Sequence, residues 1–384
     1  MASRQLRRIR SFSDLQLQRL SNAQILTVER FLTTPYDLLM RLLDVDFLTI
    51  NNLLNELSAM ATPTPKTAWN LLQLQNPIPF NIPILDSHLH GGLQAGTITE
   101  IVGESSSGKT ILCLQLILQS SLLPEHGGFG LSSLFIDAES SFSPRLLLSL
   151  ASARISPQTV GASENENDVN DTVLQSLMSR VHVMKVSGLS DLARWAQTTL
   201  EDQIIEKKIR IVVIDSIAAI VNQSFPSGTS LIDRQHMLSS TTAQLKRAAE
   251  LFGLAVVITN TAFSSSSHSP TPSLHQDSSL FLPSSTLSLP MPPPSPFTFP
   301  STLSPRLGLL WHHSVNTRLV LVNSLPGTIS NIRDRSDDNN EPLNVKLLAI
   351  TKSPVTAPLA VLVQVDGTGI HQFGSGEEED FDTS

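Results

Sequence analysis

Gly103-Glu104-Ser105-Ser106-Ser107-Gly108-Lys109-Thr110 is a G-x-x-x-x-G-K-T run set between two segments of different periodicity. Thr97 to Val102, just before it, reads as a buried strand, and Ile111, Leu114 and Leu118, just after it, recur at helical spacing. Strand, glycine-rich loop and helix in that order form the context a phosphate-binding loop requires. Its glycines let successive backbone N–H groups turn inward around phosphates at a helix N-terminus. Lys109 is placed to reach the β and γ phosphates, and the Thr110 hydroxyl to coordinate Mg2+. Gly103, Glu104, Ser105, Ser106, Ser107, Gly108, Lys109 and Thr110 are thus the predicted nucleotide-binding residues, with ATP and Mg2+ as the expected ligands. At ordinary glycine frequencies the run arises by chance in roughly one chain in a hundred of this length.

Working outward, Ser133 to Ile136, Arg210 to Asp215 and Ala255 to Asn260 are further predicted strands, each separated from the next by a helical pattern. That alternation predicts a largely parallel sheet with crossover helices. Arg210-Ile-Val-Val-Ile-Asp215 ends in a carboxylate suited to the metal side of the nucleotide site. Phe135-Ile-Asp137-Ala138-Glu139 supplies two more carboxylates, of which a Glu can polarise an attacking water; a cap on the strand end is the simpler use of such residues. The helix after Gly188 spaces Leu192, Ala196, Leu200 and Ile204 four apart, and the one after Arg234 spaces Leu238, Leu245 and Phe252 seven apart. Beyond Trp311 the pattern turns to strands at Arg318 to Val322, Val345 to Thr351 and Leu359 to Val365, expected to extend the sheet antiparallel.

Ser13 to Met60 reads as short amphipathic helices built on Leu15, Leu20, Ile25, Leu26, Phe31, Leu38, Leu39, Leu42, Leu53, Leu54 and Leu57. The expected division is a helical domain over 1–60, a proline-bearing linker over 61–80, a core over 81–373 and an acidic tail over 374–384. Three stretches interrupt the core: Gly161 to Thr172, Gly327 to Pro342, and Ser264 to Pro305. The last holds ten of the 24 prolines and one charged residue, Asp277, too little apolar surface and too much proline to fold alone, and reads as an insertion within a loop.

Composition narrows the class. A 384-residue chain with 40% hydrophobic and 16% charged residues has enough material for one large core and an accessory module. It has no apolar run of the roughly 18 residues a membrane span needs. A net charge of -8 argues against a wholly basic nucleic-acid coat and leaves room for a local patch. The single Cys113 allows no internal disulfide, and the expected compartment is reducing. Arg4, Arg7, Arg8 and Arg10 fit a solvated first turn or a weak DNA-facing patch better than a presequence. His88-Leu-His90 and His312-His313 lack the second ligand pair a metal site wants.

These residues resemble a family. Leu85-Asp86 through Leu89-His90-Gly91-Gly92, Gly96, Thr99-Glu100, the phosphate loop, Ile136-Asp-Ala-Glu-Ser-Ser-Phe142, Ile214-Asp215-Ser216 and Ile258-Thr-Asn260 stand in the order and spacing of the RecA/RadA-type recombinases. Trp311-His-His-Ser-Val-Asn-Thr-Arg-Leu319, Ala349 to Pro354 and Ala23-Gln-Ile-Leu-Thr27 are most similar to the B-type paralogue branch. The resemblance implies an α/β fold with a RecA-like P-loop ATPase core, mostly parallel with antiparallel C-terminal strands, preceded by a small all-helical domain. It implies ATP held between neighbouring subunits, Glu139 as the water-activating carboxylate, Lys109 as its catalytic cation partner and Thr110 with Asp215 at the metal. Arg145 lies one position before the family's base-stacking arginine, a place Leu146 takes. Lys352 replaces an acidic residue of the cap that crosses to the neighbour's nucleotide, where a cation can act as an arginine finger.

The departures shape the functional expectation. Pro65-Lys66-Thr67-Ala68 occupies the linker position of the family's aromatic-x-x-Ala docking motif without the aromatic, and Asp44 stands where a helix-hairpin-helix wants Gly. The first DNA loop, Asn222 to Asp233, lacks arginines and leaves only Arg234 as a DNA contact, while Thr261 replaces a γ-phosphate-sensing glutamine. His313 matches a family position near the second loop. The expected protein is a nuclear, ATP-dependent recombination mediator acting in homologous recombination and double-strand-break repair. Its expected partners are other recombinase paralogues, the C-type foremost, the main recombinase filament, and single-stranded or branched DNA, with no membrane. A self-assembling strand-exchange recombinase and an ATP-binding structural subunit without turnover are the competing readings.

Overall fold

The computed structural model describes residues 6–62, 65, 67–70, 76–155, 164–224, 231–261, 307–323 and 344–373. It divides into two compact units, Met1–Gln75 and Asn76–Ser384.

Among its described residues the first unit contains the α-helices α1 (Asp14–Asn22), α2 (Val28–Leu32), α3 (Tyr36–Leu43) and α4 (Phe47–Ala61). Side-chain caps set the starts of three of them. Ser13 and Gln16 form a reciprocal capping box on α1, Thr27 accepts from the Arg30 N–H on α2, and Asp46 accepts from the Thr49 N–H on α4. Leu20, Ile25, Phe31, Leu39, Ile50, Leu53 and Leu57 form its core with Leu6, Ile9 and Phe12. Leu15, Leu26 and Leu38, expected inside from their spacing, are exposed, because an apolar stripe broader than the packed seam leaves its margins in solvent.

The second unit is built on one nine-stranded sheet: β1 (Ile98–Gly103), β2 (Ser132–Asp137), β3 (Val181–Lys185), β4 (Ile209–Asp215), β5 (Ala255–Thr261), β6 (Thr317–Asn323), β7 (Val345–Lys352), β8 (Leu359–Asp366) and β9 (Gly369–Gln372). The strand order is β3-β2-β4-β5-β1-β6-β7-β8-β9, parallel from β3 to β6 and antiparallel from β6 to β9. Its helices are α5 (Pro83–His88), α6 (Lys109–Ser121), α7 (Pro144–Ile155), α8 (Glu164–Arg180), α9 (Leu189–Thr198), α10 (Leu200–Lys207), α11 (Ile217–Ser224), α12 (Leu231–Phe252) and α13 (Gly308–Ser314).

Strand alternation assigns the two faces of the sheet. Ile211, Val213, Phe135 and Leu321 pack with α6, α7 and α8, whereas Val212, Ile214, Ile136 and Ile258 pack with α9 to α13. Helix α6, which follows the phosphate loop, is buried from Leu112 to Ser121, and its two glutamines are satisfied internally. Gln115 donates to the Phe80 and Ile370 carbonyls and accepts from the Ile370 N–H.

Several sequence expectations are corrected. The stretch Gly161 to Thr172 is no interruption over its described part: α8 starts at Glu164. The helix expected after Gly188 is two helices broken at Thr199, although Leu192, Ala196, Leu200 and Ile204 are all buried as one stripe. Residues 222–224 and 231–233 of the expected first DNA loop belong to α11 and α12. Ile78 and Phe80, at the end of the expected linker, are buried in the core of the second unit. Strands β3 and β9 are additions, a half-exposed edge strand and a four-residue one, both too short or too polar to show a pattern. The insertion 264–305, the stretch 327–342 and the acidic tail lie outside the described residues.

Candidate nucleotide site

The candidate site gathers at the carboxyl ends of β1, β2 and β4, where parallel α/β sheets place their ligands. Gly103 ends β1, and a Cβ there would lie 2.5 Å from the Leu321 carbonyl oxygen of β6, so no side chain fits. Gly108 opens α6 with φ +106, a conformation other residues rarely adopt. Between them Ser106 is left-handed at φ 61. The loop therefore turns through two left-handed residues, Ser106 and Gly108, and delivers its chain to the N-terminus of α6, a ready anion site.

Lys109, the first residue of α6, donates to the carbonyls of Gly103 (3.0 Å) and Glu104 (2.6 Å). Burial pushes its pKa down, opposed by the nearby Asp215 and Glu139 carboxylates. Thr110 donates its hydroxyl to Asp215 Oδ2 at 2.8 Å, so the two predicted metal-side residues, 105 positions apart in the chain, touch. Asp215 is buried and collects two more hydroxyls, Ser141 on Oδ2 (2.9 Å) and Thr259 on Oδ1 (2.5 Å). Four hard oxygen-bearing side chains in one place suit a small divalent cation, which takes one or two carboxylates and keeps its other positions for water and phosphate. Glu104, Ser105 and Ser107 complete the loop; Ser107 is fully buried and its hydroxyl has no partner among the described residues.

The two carboxylates after β2 separate by role. Asp137 is buried and accepts from the N–H groups of Ser141 and Phe142, so it is the cap that shapes the 138–142 loop. Glu139 is exposed, and only its Oε1 is engaged among the described residues, by the Ser216 hydroxyl at 2.7 Å. A carboxylate oriented through one oxygen with the other presented to solvent has the arrangement of a general base.

Behind the loop, Glu100 of β1 is 0% exposed and pairs with Arg318 of β6 at 2.6 Å. It also accepts from Asn260 Nδ2 (2.8 Å) and Trp311 Nε1 (2.7 Å). Asn260 lies just before and Trp311 just after residues 262–306, so one carboxylate ties both flanks of the insertion to the strand that leads into the phosphate loop. Arg318 Nη1 lies 2.9 Å from His312 Nδ1, and burial followed by the Arg318 and Lys352 charges pushes the His312 pKa down.

The remaining predicted residues are placed as follows. Lys352 donates to the His312 (2.5 Å) and Val315 (2.7 Å) carbonyls at the C-terminal end of α13, and burial pushes its pKa down. Arg145 is exposed on the first turn of α7, next to Leu146, which packs on the core. Arg234 is half-buried within α12. Cys113 is fully buried and burial pushes its thiol well up, which makes it a core residue. Among the described residues no group of three His, Cys, Asp or Glu side chains forms a metal cluster, and no helix is long and apolar enough to cross a membrane. Ser141, Ser216 and Thr259 carry polar contacts of the site that residue type alone did not single out; Ser141 and Ser216 follow carboxylate-bearing strand ends, which was the available signal, whereas Thr259 lies within β5, which has no carboxylate.

The Rad51 family profile matches residues 81–278. The human DNA repair protein RAD51 homolog 2 is 30% identical over 330 residues, covering 84% of this chain and 81% of its own. The Arabidopsis thaliana DNA repair protein XRCC3 homolog is 31% identical over 67% of this chain and 78% of its own. The DNA repair and recombination protein RadA of Metallosphaera sedula is 32% identical over 46% of this chain and 49% of its own. A phosphate loop, a Thr110–Asp215 contact and an oriented Glu139 on a sheet of this order, together with these matches, establish that the chain belongs to the Rad51 family.

Proposed function

We propose that this protein is an ATP-dependent recombination mediator that works in homologous recombination and double-strand-break repair. It joins other recombinase paralogues, the C-type foremost, in a hetero-oligomer that helps the main recombinase load on single-stranded DNA in the nucleus. The observation that carries the reading is the Thr110–Asp215 contact beside Lys109, which feels the Asp215 and Glu139 charges, in a Rad51-family chain whose relatives include DNA repair proteins.

In this reading the loop Gly103 to Thr110 binds the phosphates and Lys109 exchanges its two carbonyl partners for phosphate oxygens. Thr110 and Asp215 hold Mg2+, which when bound neutralises phosphate charge. Glu139, held by Ser216, takes the proton of the attacking water. Arg145 flanks the base, and Arg234 is the remaining cation of the first DNA loop. An ammonium has three donors and Lys352 uses two on its own chain, so one remains for the γ-phosphate of a neighbour's ATP. Unchanged turnover by a Lys352→Ala complex would count against that role.

The family's linker aromatic is missing here, and the tryptophan beside Ala68, Trp69, is 65% exposed rather than buried in its own unit. The missing aromatic favours assembly with a different chain over self-polymerisation. The test is mass photometry of the purified chain with a paralogue partner, with and without ATP and Mg2+. A defined hetero-oligomer and no filaments of the pure chain on single-stranded DNA are expected. Filaments of the pure chain would support the strand-exchange reading instead.

A further inference from the structure

A second lysine touches the phosphate loop from β7, two strands away from β1. Lys346 of β7 is 6% exposed, and its ammonium donates to the Ser106 carbonyl at 3.2 Å and to Asn323 Oδ1 at 2.6 Å. Asn323 is its cross-strand partner on β6 and donates in turn to Glu104 Oε2 at 3.4 Å. No carboxylate lies within ion-pair distance of Lys346 among the described residues. An ammonium held by neutral oxygens alone is a costly thing to bury, and an apolar side chain could pack at this strand position without that cost.

The loop supplies a reason for it. When a chain curls so that its N–H groups face a concavity, its carbonyls face away and need donors of their own. Lys109 serves the carbonyls of Gly103 and Glu104, and Lys346 serves that of Ser106, the left-handed residue in the middle of the turn. A left-handed conformation in a residue other than glycine persists where its surroundings hold it. A cation on the Ser106 carbonyl also polarises the peptide that carries the Ser107 N–H, which donates here to the Glu104 carbonyl at 3.3 Å, and so strengthens that donor.

We propose that Lys346, with Asn323, is a positioning residue of the nucleotide site that fixes the centre of the phosphate loop and sets affinity for both ATP and ADP without taking part in hydrolysis. The proposal rests on the reading of Gly103 to Thr110 as a nucleotide cradle. Lys346→Met, Lys346→Gln, Lys346→Arg and Asn323→Ala are compared with the wild-type full chain and with Lys109→Ala. Dissociation constants for a fluorescent N-methylanthraniloyl-ADP and for competing ATP are measured beside kcat and KM, with circular dichroism to confirm folding.

Loss of one charge-assisted bond weakens binding by about tenfold or more. Lys346→Met is expected to show that loss for ADP and ATP alike, with KM raised to match and kcat at saturation within twofold. Lys346→Arg recovers most of the affinity, and Lys346→Gln and Asn323→Ala fall between. Lys346→Met that is folded and binds as wild type overturns the proposal, as does a loss confined to kcat; if Lys346→Met does not fold, wild-type affinity in Lys346→Gln overturns it. Wild-type protein that binds no nucleotide fails the cradle reading itself. Binding lost in Lys109→Ala and unchanged in the Lys346 variants fails this proposal alone.

Discussion

Replacing Glu100 by Ala tests how the two halves of the site are held together. In the folded chain this carboxylate is fully buried and accepts from Arg318 Nε, Asn260 Nδ2 and Trp311 Nε1. The Ala variant leaves the Arg318 guanidinium, itself 7% exposed, without its counter-charge. Breaking a buried pair from one side costs about 3–5 kcal/mol. The stranded amide and indole donors add about 1–3 kcal/mol each if counted singly, and less as members of one network. A loss of about 5 kcal/mol is expected, a third or more of the roughly 5–15 kcal/mol that holds a typical domain. Glu100→Gln keeps an acceptor for Asn260 and Trp311 but removes the charge opposite Arg318, and should cost about 3 kcal/mol. Urea unfolding followed by tryptophan fluorescence is the assay, since Trp311 reports from inside the network. The double variant Glu100→Leu with Arg318→Met, which removes both charges, should recover much of the loss. Stability of Glu100→Ala within about 1 kcal/mol of wild type would refute the reasoning.

Other predictions draw on single contacts. Asp215→Asn removes the charge on which the Thr110, Ser141 and Thr259 hydroxyls converge, and should weaken the Mg2+-dependent part of ATP binding by about tenfold or more, read by titration with and without Mg2+. The Asp46 carboxylate, which accepts from the Thr49 hydroxyl and N–H, is held below its ordinary pKa first by the side-chain bond and then by the backbone one. A depressed folded pKa gives stability that is present above the unfolded value and lost as pH falls through the folded one. The helical unit of wild type should therefore weaken relative to Asp46→Asn below about pH 4, measured by circular dichroism melts between pH 3 and 6. Replacing 264–305 by a short Gly-Ser loop should leave folding and ATP affinity unchanged, because Glu100 already holds Asn260 and Trp311 and halving a loop changes closure by only about 0.6 kcal/mol. Loss of soluble protein would contradict this.

Much of the molecule was legible in the sequence because its signals were local. The strand-loop-helix around Gly103 to Thr110 announces itself by residue type and spacing, and the parallel strands by unbroken apolar runs such as Ile211 to Ile214. The carboxylates Asp215 and Glu139 were visible as strand ends. What stayed hidden depends on distant contacts. Nothing in Lys346 or Asn323 alone says that they meet Ser106 and Glu104, more than 200 residues earlier. Asp137 and Glu139 share a motif, and only the loop's return to Asp137 assigns one to capping and the other to solvent. The break at Thr199 leaves the apolar stripe intact, so periodicity could not reveal it. Lys352 looked outward by family position, while in the fold two of its donors serve the end of α13.

The central claim, a working ATP site that acts in a mixed assembly, is tested most directly by ATP hydrolysis of the purified chain, alone and with a paralogue partner, with and without single-stranded DNA. Lys109→Ala and Glu139→Gln serve as controls, the second expected to bind ATP while losing about 100-fold or more in rate. The account predicts turnover that rises with partner and DNA and vanishes in both controls. Tight ATP binding with no turnover in any combination would contradict it and leave a structural subunit in its place.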